Sequence, residues 1–304
     1  MLELVFYGIV FGSIISLGAI GLTLVFGIIR FANFAHGDLM SLGAYFALFM
    51  VSGVLSWIGV PDTTFGSLSF GLPMLIAFPV SMFGVGCVAI AADRILYRKL
   101  RKNKSGTVML AMSSLGVAFI IRMLILIFGG ADSLFYRPGL MRPAIEFPLG
   151  IKIRPDQILI IILVFGLVTL LHLYMQKTKM GKAMRATADN MELALVSGID
   201  TERVIILTWG VGGALAAAGG ILYGIDVQVH AYMGWNFLIP LFAATILGTI
   251  GNIWGALVGG LVIGIAQQVS TAFLLPTYKP AVAFMLMILI LLVRPKGIFG
   301  GKKD

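Results

Sequence analysis

Apolar runs of about 20 residues recur along the whole chain and leave it few ways to fold. A helix of that length crosses the hydrocarbon core of a bilayer, about 30 Å thick, with its backbone hydrogen bonds satisfied internally. Of the 304 residues, 59% are hydrophobic and 12% charged, whereas soluble domains average about 45–50% and about 25%. The sequence therefore predicts an all-α integral membrane protein, a polytopic helix bundle of about 8–9 transmembrane segments.

The spacing of these runs defines the segments of the bundle. No linker divides residues 1–304, so we expect a single transmembrane domain. The region 236–275 is too long for one upright span, and "GTIGNIW" at 248–254 predicts a broken or re-entrant pair hinged there. One long tilted helix is the alternative. The expected spans are 4–28, 34–55, 70–92, 107–130, 157–175, 203–225, the 236–275 region and 279–293.

Basic residues cluster after the third, fifth and last spans. Lys and Arg favour cytoplasmic loops, so all three clusters and the C-terminus are expected inside and the N-terminus outside. The loop 131–156 is then outside, although its Arg137, Arg142, Lys152 and Arg154 disfavour that position. The net charge of +9 follows the spans and suggests no nucleic acid. The clusters are Arg94, Arg98, Lys99, Arg101, Lys102 and Lys104; Lys177, Lys179, Lys182 and Arg185; and Arg294, Lys296, Lys302 and Lys303.

Polar residues within the apolar runs are candidates for a pathway, because burying them in a membrane is costly. Arg122 is the one charged residue expected deep in a span, either paired with helix carbonyls or lining a pathway. Asp38 is expected at the cytoplasmic mouth, in a capped turn or a gate. No Asp or Glu is expected mid-span. The pathway or gate candidates are Asn33, His36, Asp38, Arg122, Asn252, Gln267 and Gln268.

Two further patterns concern packing and metal binding. Gly251, Gly255 and Gly259 have the small-xxx-small spacing that lets helices approach closely, and we assign them to helix packing. The three histidines and the single Cys87 form no ligand pattern, so no metal site is predicted.

The stretch "GKAMRATADNMELALVSGID", 181–200, is polar for this chain. Read as one helix over 181–198, it aligns an apolar stripe on one face. Gly198 stands where a helix often ends. The stripe is Met184, Ala188, Met191 and Leu195, and the charged residues beside it are Arg185, Asp189 and Glu192.

Four stretches resemble the permease subunits of ATP-binding cassette importers for branched-chain amino acids, a family that also handles urea and short amides. They are "NFAHGDLMSLGAY", the 181–200 stretch, "ATILGTIGNIWGALVGGLVIGIAQ" and "YKPAVAFMLMILILLVRPKGIFG", in collinear order from residue 5 to residue 300. Such importers carry a cytoplasmic E-A-A-x-x-x-G loop that docks on the ATPase. Glu192, Ala194 and Gly198 match it, Leu193 replaces its first alanine, and the I-x-L-P that often follows is missing.

The resemblance implies a transport subunit rather than an enzyme, multi-pass in the bacterial inner membrane. It would carry branched-chain or related amino acids. It also implies a homologous second permease subunit, cytoplasmic ATPase subunits, an extracellular or periplasmic substrate-binding protein and the lipid bilayer as partners. No cofactor is expected on this chain, since ATP and Mg²⁺ would be used by the ATPase.

Two other functions are compatible with a polytopic bundle. An ion-coupled secondary transporter usually marks its ion site with buried acids or unwound helices, and the sequence places no acid mid-span. A passive channel for small neutral solutes explains the glycines but leaves 181–198 without a role.

Overall fold

The computed structural model describes residues 1–61, 63–137, 144–147 and 151–300, and nearly all of the regular structure in them is helical. Eight helical segments are long and apolar enough to cross a membrane, and one shorter apolar helix, α10, accompanies them. The predicted all-α membrane bundle is therefore confirmed. The membrane helices are α1 (Leu2–Ile29), α2 (His36–Leu48, continued by a π-helical segment Phe49–Leu55), α3 (Leu72–Ala92), α5 (Thr107–Gly129), α6 (Pro155–Lys177), α9 (Thr201–Asp226), α10 (Met233–Gly248), α11 (Ile253–Ser270) and α12 (Lys279–Val293).

Shorter elements join these helices. A π-helical segment, Asp93–Tyr97, leads from α3 into α4 (Arg98–Lys102), and a 3-10 turn, Pro276–Tyr278, precedes α12. The strands β1 (Ile145–Phe147) and β2 (Ile151–Ile153) pair antiparallel between α5 and α6. Two helices, α7 (Lys179–Asp189) and α8 (Met191–Val196), lie between α6 and α9.

Helix α1 is the centre of the bundle. In its most apolar 18-residue window 83% of the residues are buried, whereas in that of α12 only 6% are. A helix that is apolar on all sides is buried within protein or exposed to lipid, and the two helices are examples of the two cases. Helices α6, α9, α10 and α11 pack directly against α1, whereas α12 packs against α10 and α11.

A glycine seam joins α1 to α11. A Cβ atom added to Gly264 would lie 2.2 Å from the Gly12 Cα, and one added to Gly260 would lie 2.3 Å from the Ser16 hydroxyl. Gly8 stands similarly close to Ile265. Because these residues lack side chains, the two backbones come into direct contact, as small-residue spacing allows within a bilayer.

Helices α10 and α11 form the broken pair that the sequence predicted, with a hinge over 249–252. Thr249 and Gly251 have φ angles of 81° and 88°, which turn the chain back on itself. Gly251 thus belongs to the hinge rather than to a helix, and its Cα lies close to Gly27 of α1. Gly255 and Gly259 do lie against α10, where added Cβ atoms would collide with backbone.

Contacts near the helix ends bring the three basic clusters to one face, which we call the inner face. Arg98 pairs with Glu202 at 2.8 Å, so the α4 cluster lies beside the start of α9. The hinge residue Thr249 donates to the Lys296 carbonyl at 2.9 Å, which places the C-terminal segment there too. Lys302 and Lys303 lie outside the described residues.

Local pairing explains how the basic loop 131–156 fits the opposite, outer face. Arg154 forms a salt bridge with Asp226, and Gln157 donates to the same carboxylate. Lys152 lies 3.2 Å from Glu146 across the β-hairpin. Arg142 lies outside the described residues. At least two of the four basic charges are therefore accompanied by acids in the folded chain.

The seam generates a prediction that compares one substitution at two glycines. Gly264→Ala forces α1 and α11 apart, so it should lower the free energy of unfolding by about 1–3 kcal/mol. Gly116→Ala in α5, where a Cβ meets nothing within 4 Å, should be neutral or slightly stabilising. Thermal unfolding of the detergent-purified chain measures both. Equal melting temperatures for the two variants would contradict the seam.

Candidate functional site

Helix α2 begins inside the bundle rather than at its inner face. Arg30 ends α1 with a φ of 59°, and its guanidinium lies 3.5 Å from the Ala188 and Asp189 carbonyls at the inner face. His36, at the start of α2, lies 3.0 Å from the Gly18 carbonyl. The helical rise from Gly18 to Arg30 is about 18 Å, and an extended chain from Arg30 to His36 reaches about 20 Å. Residues 31–35 therefore run back alongside α1.

This course corrects the predicted position of the stretch around Asp38. The expected gate at the cytoplasmic mouth was wrong, because Asn33, His36 and Asp38 are buried within the bundle, each at most 1% exposed. The expectation of no acid deep in the membrane fails for the same reason. Sequence spacing alone suggested a surface turn, since a return of the chain along its own helix leaves no periodic signal.

Asp38 and Arg122 form an ion pair between α2 and α5. Arg122 Nε and Nη2 donate to Asp38 Oδ1 and Oδ2 at 3.0 and 2.9 Å. This is the two-pronged geometry in which a guanidinium matches a carboxylate. Arg122 is 4% exposed. Each charge removed from water costs several kcal/mol unless it is paired, so each residue makes the burial of the other tolerable.

Aromatic rings surround the guanidinium. Arg122 Cζ lies 4.7 Å from the Trp235 ring centroid, 5.5 Å from that of Phe119 and 6.0 Å from that of Tyr232. These distances are within cation–π range. All three rings are partly exposed on the surface of the chain, so the ion pair lies just beneath an aromatic layer.

The start of α10 packs against the start of α2 beside this pair. A Cβ added to Gly37 would lie 2.2 Å from the Gly234 carbonyl oxygen, so the two backbones touch. Gly234 N donates to the Ser41 hydroxyl at 2.8 Å. Two helix N-termini, each with the positive end of its dipole, thus meet within the bundle.

Asn33 and His36 complete the buried polar group. Asn33 Oδ1 accepts from Ala35 N at 3.1 Å, while its Nδ2 has no partner among the described residues. The His36 ring is held by the Gly18 carbonyl, and its Nδ1 is likewise unpaired there. Phe34 N donates to the Ser114 hydroxyl at 3.0 Å, which fixes the extended segment to α5.

Three other pathway candidates lie away from Arg122. Asn252 caps α11, its Oδ1 accepting from Gly255 N at 3.0 Å, so it shapes the hinge. Gln267 is 1% exposed and donates to the Lys279 carbonyl at 2.8 Å, which ties α11 to α12. Gln268 follows it at the same outer end of α11. The structure does not bring these residues together with the ion pair.

The stretch 181–198 is two helices, so the prediction of one helix was wrong. Asn190 separates α7 from α8 with extended backbone, φ −151° and ψ 107°. Its Oδ1 accepts from Leu193 N at 3.0 Å, the usual role of an N-cap asparagine. Thr178 caps α7 in the same way through Gly181 N. The apolar spacing continues across Asn190, which is why periodicity did not reveal the break.

The break divides the predicted stripe. Met184 is fully buried and Ala188 half-buried against the chain itself, whereas Met191 and Leu195 are exposed. On α8 only Ala194 is buried, at 3%. The exposed apolar residues of α8 form one patch, which we call the α8 patch: Met191, Leu193, Leu195 and Val196.

Charged residues and a glycine frame this patch. Arg185 donates to the Gln176 side chain at 3.0 Å, and Glu192 and Asp189 are exposed. Gly198 has a φ of 83°, which is consistent with the expected helix stop and suits glycine. The α8 patch therefore lies exposed at the inner face, next to α7, which packs against the bundle.

Sequence reasoning missed the outer-face cluster and the aromatic layer. The cluster of Arg154, Gln157 and Asp226 did leave a signal, because a basic loop on the outer face requires acidic partners. Trp235 and Tyr232 left none, since their contact with Arg122 depends on packing between distant parts of the chain.

The buried pair generates a prediction about stability. Arg122→Gln or Asp38→Asn alone leaves one buried charge unpaired and should cost about 3–5 kcal/mol. The double variant removes both charges and should recover most of that loss. Thermal unfolding and the yield of folded protein in detergent measure it. A double variant as unstable as either single variant would mean that the charges do not compensate each other.

The sequence is similar to that of known transport proteins over nearly its whole length. A model of the family described as "Branched-chain amino acid transport system / permease component" matches residues 4–291. The high-affinity branched-chain amino acid transport system permease protein LivH of Salmonella typhimurium is 34% identical over 98% of this chain and 95% of that protein. BraD of Pseudomonas aeruginosa, a permease protein of the same description, is 33% identical over 96% and 94%.

A third relative is less similar in sequence to this chain. The probable LivH of Methanocaldococcus jannaschii is 29% identical over 96% of this chain and 90% of that protein. No solved structure matches the chain. The matches run through nearly the whole bundle, including the helices that carry the ion pair and the α8 patch. This protein therefore belongs to the family of permease components of branched-chain amino acid transport systems, and is a membrane transport subunit rather than an enzyme.

Proposed function

We propose that the chain forms, with a homologous second permease subunit, the path by which branched-chain amino acids enter the cell. A cytoplasmic ATPase drives the import, and an extracellular or periplasmic binding protein delivers the solute. The observation that carries the proposal is the α8 patch, an apolar surface on the inner face of a chain from this family. The membrane is then the bacterial inner membrane.

The α8 patch has the properties of a docking element. Leu193 and Leu195 are 64% and 61% exposed and Val196 is 85% exposed, so the free chain leaves apolar side chains in water. A short helix that places such side chains into a groove gains most of its binding free energy from a few anchors. ATP and Mg²⁺ belong to the ATPase in this arrangement, and the permease chain itself binds neither.

Contacts of α7 with the core and with α1 connect the α8 patch to the bundle, so they can transmit a movement of α8. Buried Met184 fixes α7 to the core, and Arg30 at the end of α1 reaches the carbonyls that end α7. Asp200 caps α9 through Arg203 N at 3.0 Å, only two residues after Gly198. A displacement of α8 therefore acts directly on α1 and α9, two buried helices of the bundle.

The surroundings of the buried Asp38 fit an importer driven by ATP better than a carrier driven by ions. A carrier driven by protons or sodium needs a membrane-embedded acid that binds the ion. Asp38 lies in such a place, but the Arg122 guanidinium already neutralises its charge through two hydrogen bonds. An importer driven by ATP has no such requirement.

Reconstitution tests the proposed transport. The complete complex of both permease subunits, co-expressed ATPases and binding protein is placed in vesicles with ATP inside. We expect uptake of leucine, isoleucine and valine that requires ATP and the binding protein. Urea and acetamide serve as control solutes. Uptake without ATP would support a passive channel, and uptake driven only by an ion gradient would support a secondary transporter.

Substitutions test docking through α8. Leu195→Asp places a carboxylate in the apolar contact, and loss of a buried anchor costs about 2 kcal/mol or more, so ATPase binding should weaken about thirtyfold. Lys182→Asp introduces the same group on the exposed part of α7 and should change binding little. Co-purification and ATP-driven uptake measure both variants. Full retention of the ATPase by Leu195→Asp would contradict docking through α8 and would mean that α8 only connects α7 to α9.

A further inference from the structure

Arg122 has a deeply buried guanidinium group, and one of its three nitrogens has no hydrogen-bond acceptor among the described residues. Arg122 is 4% exposed, and Asp38 occupies its Nε and Nη2. The third nitrogen, Nη1, donates to no group in the part of the chain that the structure describes. Unlike Asn33 Nδ2 and His36 Nδ1, this nitrogen is not fully enclosed by the chain, so a ligand can reach it. It can therefore donate to an anionic group.

The surface above Arg122 is the second observation. Tyr232, which precedes α10, and Trp235 and Asn236 in its first turns are all exposed. The first turn of α10 packs against α2 inside the bundle. An asparagine that faced lipid tails would be costly. The exposed side chains of α12 are by contrast apolar, as with Phe284 and Leu289. The α10 surface therefore suits a water-containing path between subunits better than it suits lipid.

From these two observations we infer that Arg122 and Asp38 bind the headgroup of a zwitterionic α-amino acid during its passage. The α-carboxylate accepts hydrogen bonds from the Arg122 guanidinium, and the α-ammonium donates to the Asp38 carboxylate. Trp235 and Tyr232 cover the open side, where their faces also attract a cation. The inference rests on the proposed function, because it takes an amino acid as the solute.

Charge balance gives this site its selectivity. The ion pair is neutral as a unit and a zwitterion is also neutral, so its entry replaces one ion pair by two and buries no net charge. An amine without a carboxylate, or an acid without an amine, would leave one charge unpaired at low dielectric. The site therefore favours the complete headgroup and is indifferent to the aliphatic side chain.

Leucine uptake by a variant that lacks both charges distinguishes headgroup binding from a purely structural role of the pair. The double variant Arg122→Gln with Asp38→Asn keeps the shape of the pair and leaves no unpaired charge. Loss of charge-assisted hydrogen bonds to the headgroup should lower leucine uptake by the complete complex at least about tenfold. Wild-type uptake by a complex that still retains its ATPase would overturn the site and leave the proposed function intact.

A second ion pair provides the matched control. Arg101 and Asp93 are joined by hydrogen bonds of 2.5 and 3.2 Å at the inner face, and Asp93 is also buried. Arg101→Gln with Asp93→Asn removes the same two charges outside the headgroup site. Its leucine uptake should stay within about twofold of wild type, since removal of both partners leaves no unpaired charge and the pair lies away from the headgroup site. An equal fall in both double variants would overturn the site.

Thiol labelling tests the headgroup directly and without transport. In Asn236→Cys with Cys87→Ala, leucine should slow labelling of the new cysteine, whereas 4-methylpentanoate and 3-methylbutylamine, which lack one charged group each, should not. The double neutral variant should abolish the protection. Absence of protection by leucine, or equal protection by all three compounds, would overturn the site. Protection by leucine in a complex that does not import it would support the site and contradict the proposed function.

Discussion

A bilayer offers no water to an unpaired backbone group, and the whole architecture depends on how this chain meets that constraint at its breaks. The chain leaves helical geometry inside the bundle before α2 and before α10, and again at the α10–α11 hinge on the inner face. At each break a small polar side chain takes the place of water: Ser114 and Asn33 before α2, Ser41 before α10, and Thr23 and Asn252 at the hinge. Unwound backbone is tolerated at membrane depth only under such conditions.

The breaks also explain why the helices must pack so closely. Short polar side chains reach a backbone group only when the neighbouring helix is near, and the glycines of α1, α2, α10 and α11 provide that nearness. Thr23 reaches Gly251 N at 2.7 Å because α1 and the hinge are in direct contact. Close packing is therefore a condition for breaking the helices as well as a source of dispersion energy.

Much of this arrangement is local in sequence and was predictable. The spans follow from hydropathy, the hinge from a small-residue run too long for one helix, and the common face of the basic clusters from charge. Features that rest on distant contacts were not predictable. The start of α2 inside the bundle depends on the reversal at Arg30, and the pairing of Asp38 with Arg122 joins residues 84 positions apart. The break at Asn190 was hidden because apolar spacing continues through it.

The outer-face pairing of Arg154 with Asp226 has a consequence for biogenesis. The two residues are 72 positions apart, so the ribosome completes Asp226 well after Arg154 has left the exit tunnel. The long-range pair therefore cannot form until the end of α9 has been synthesised, while the nearby Glu146 is already available to Lys152. In the folded chain the pair joins the residue before α6 to the last residue of α9.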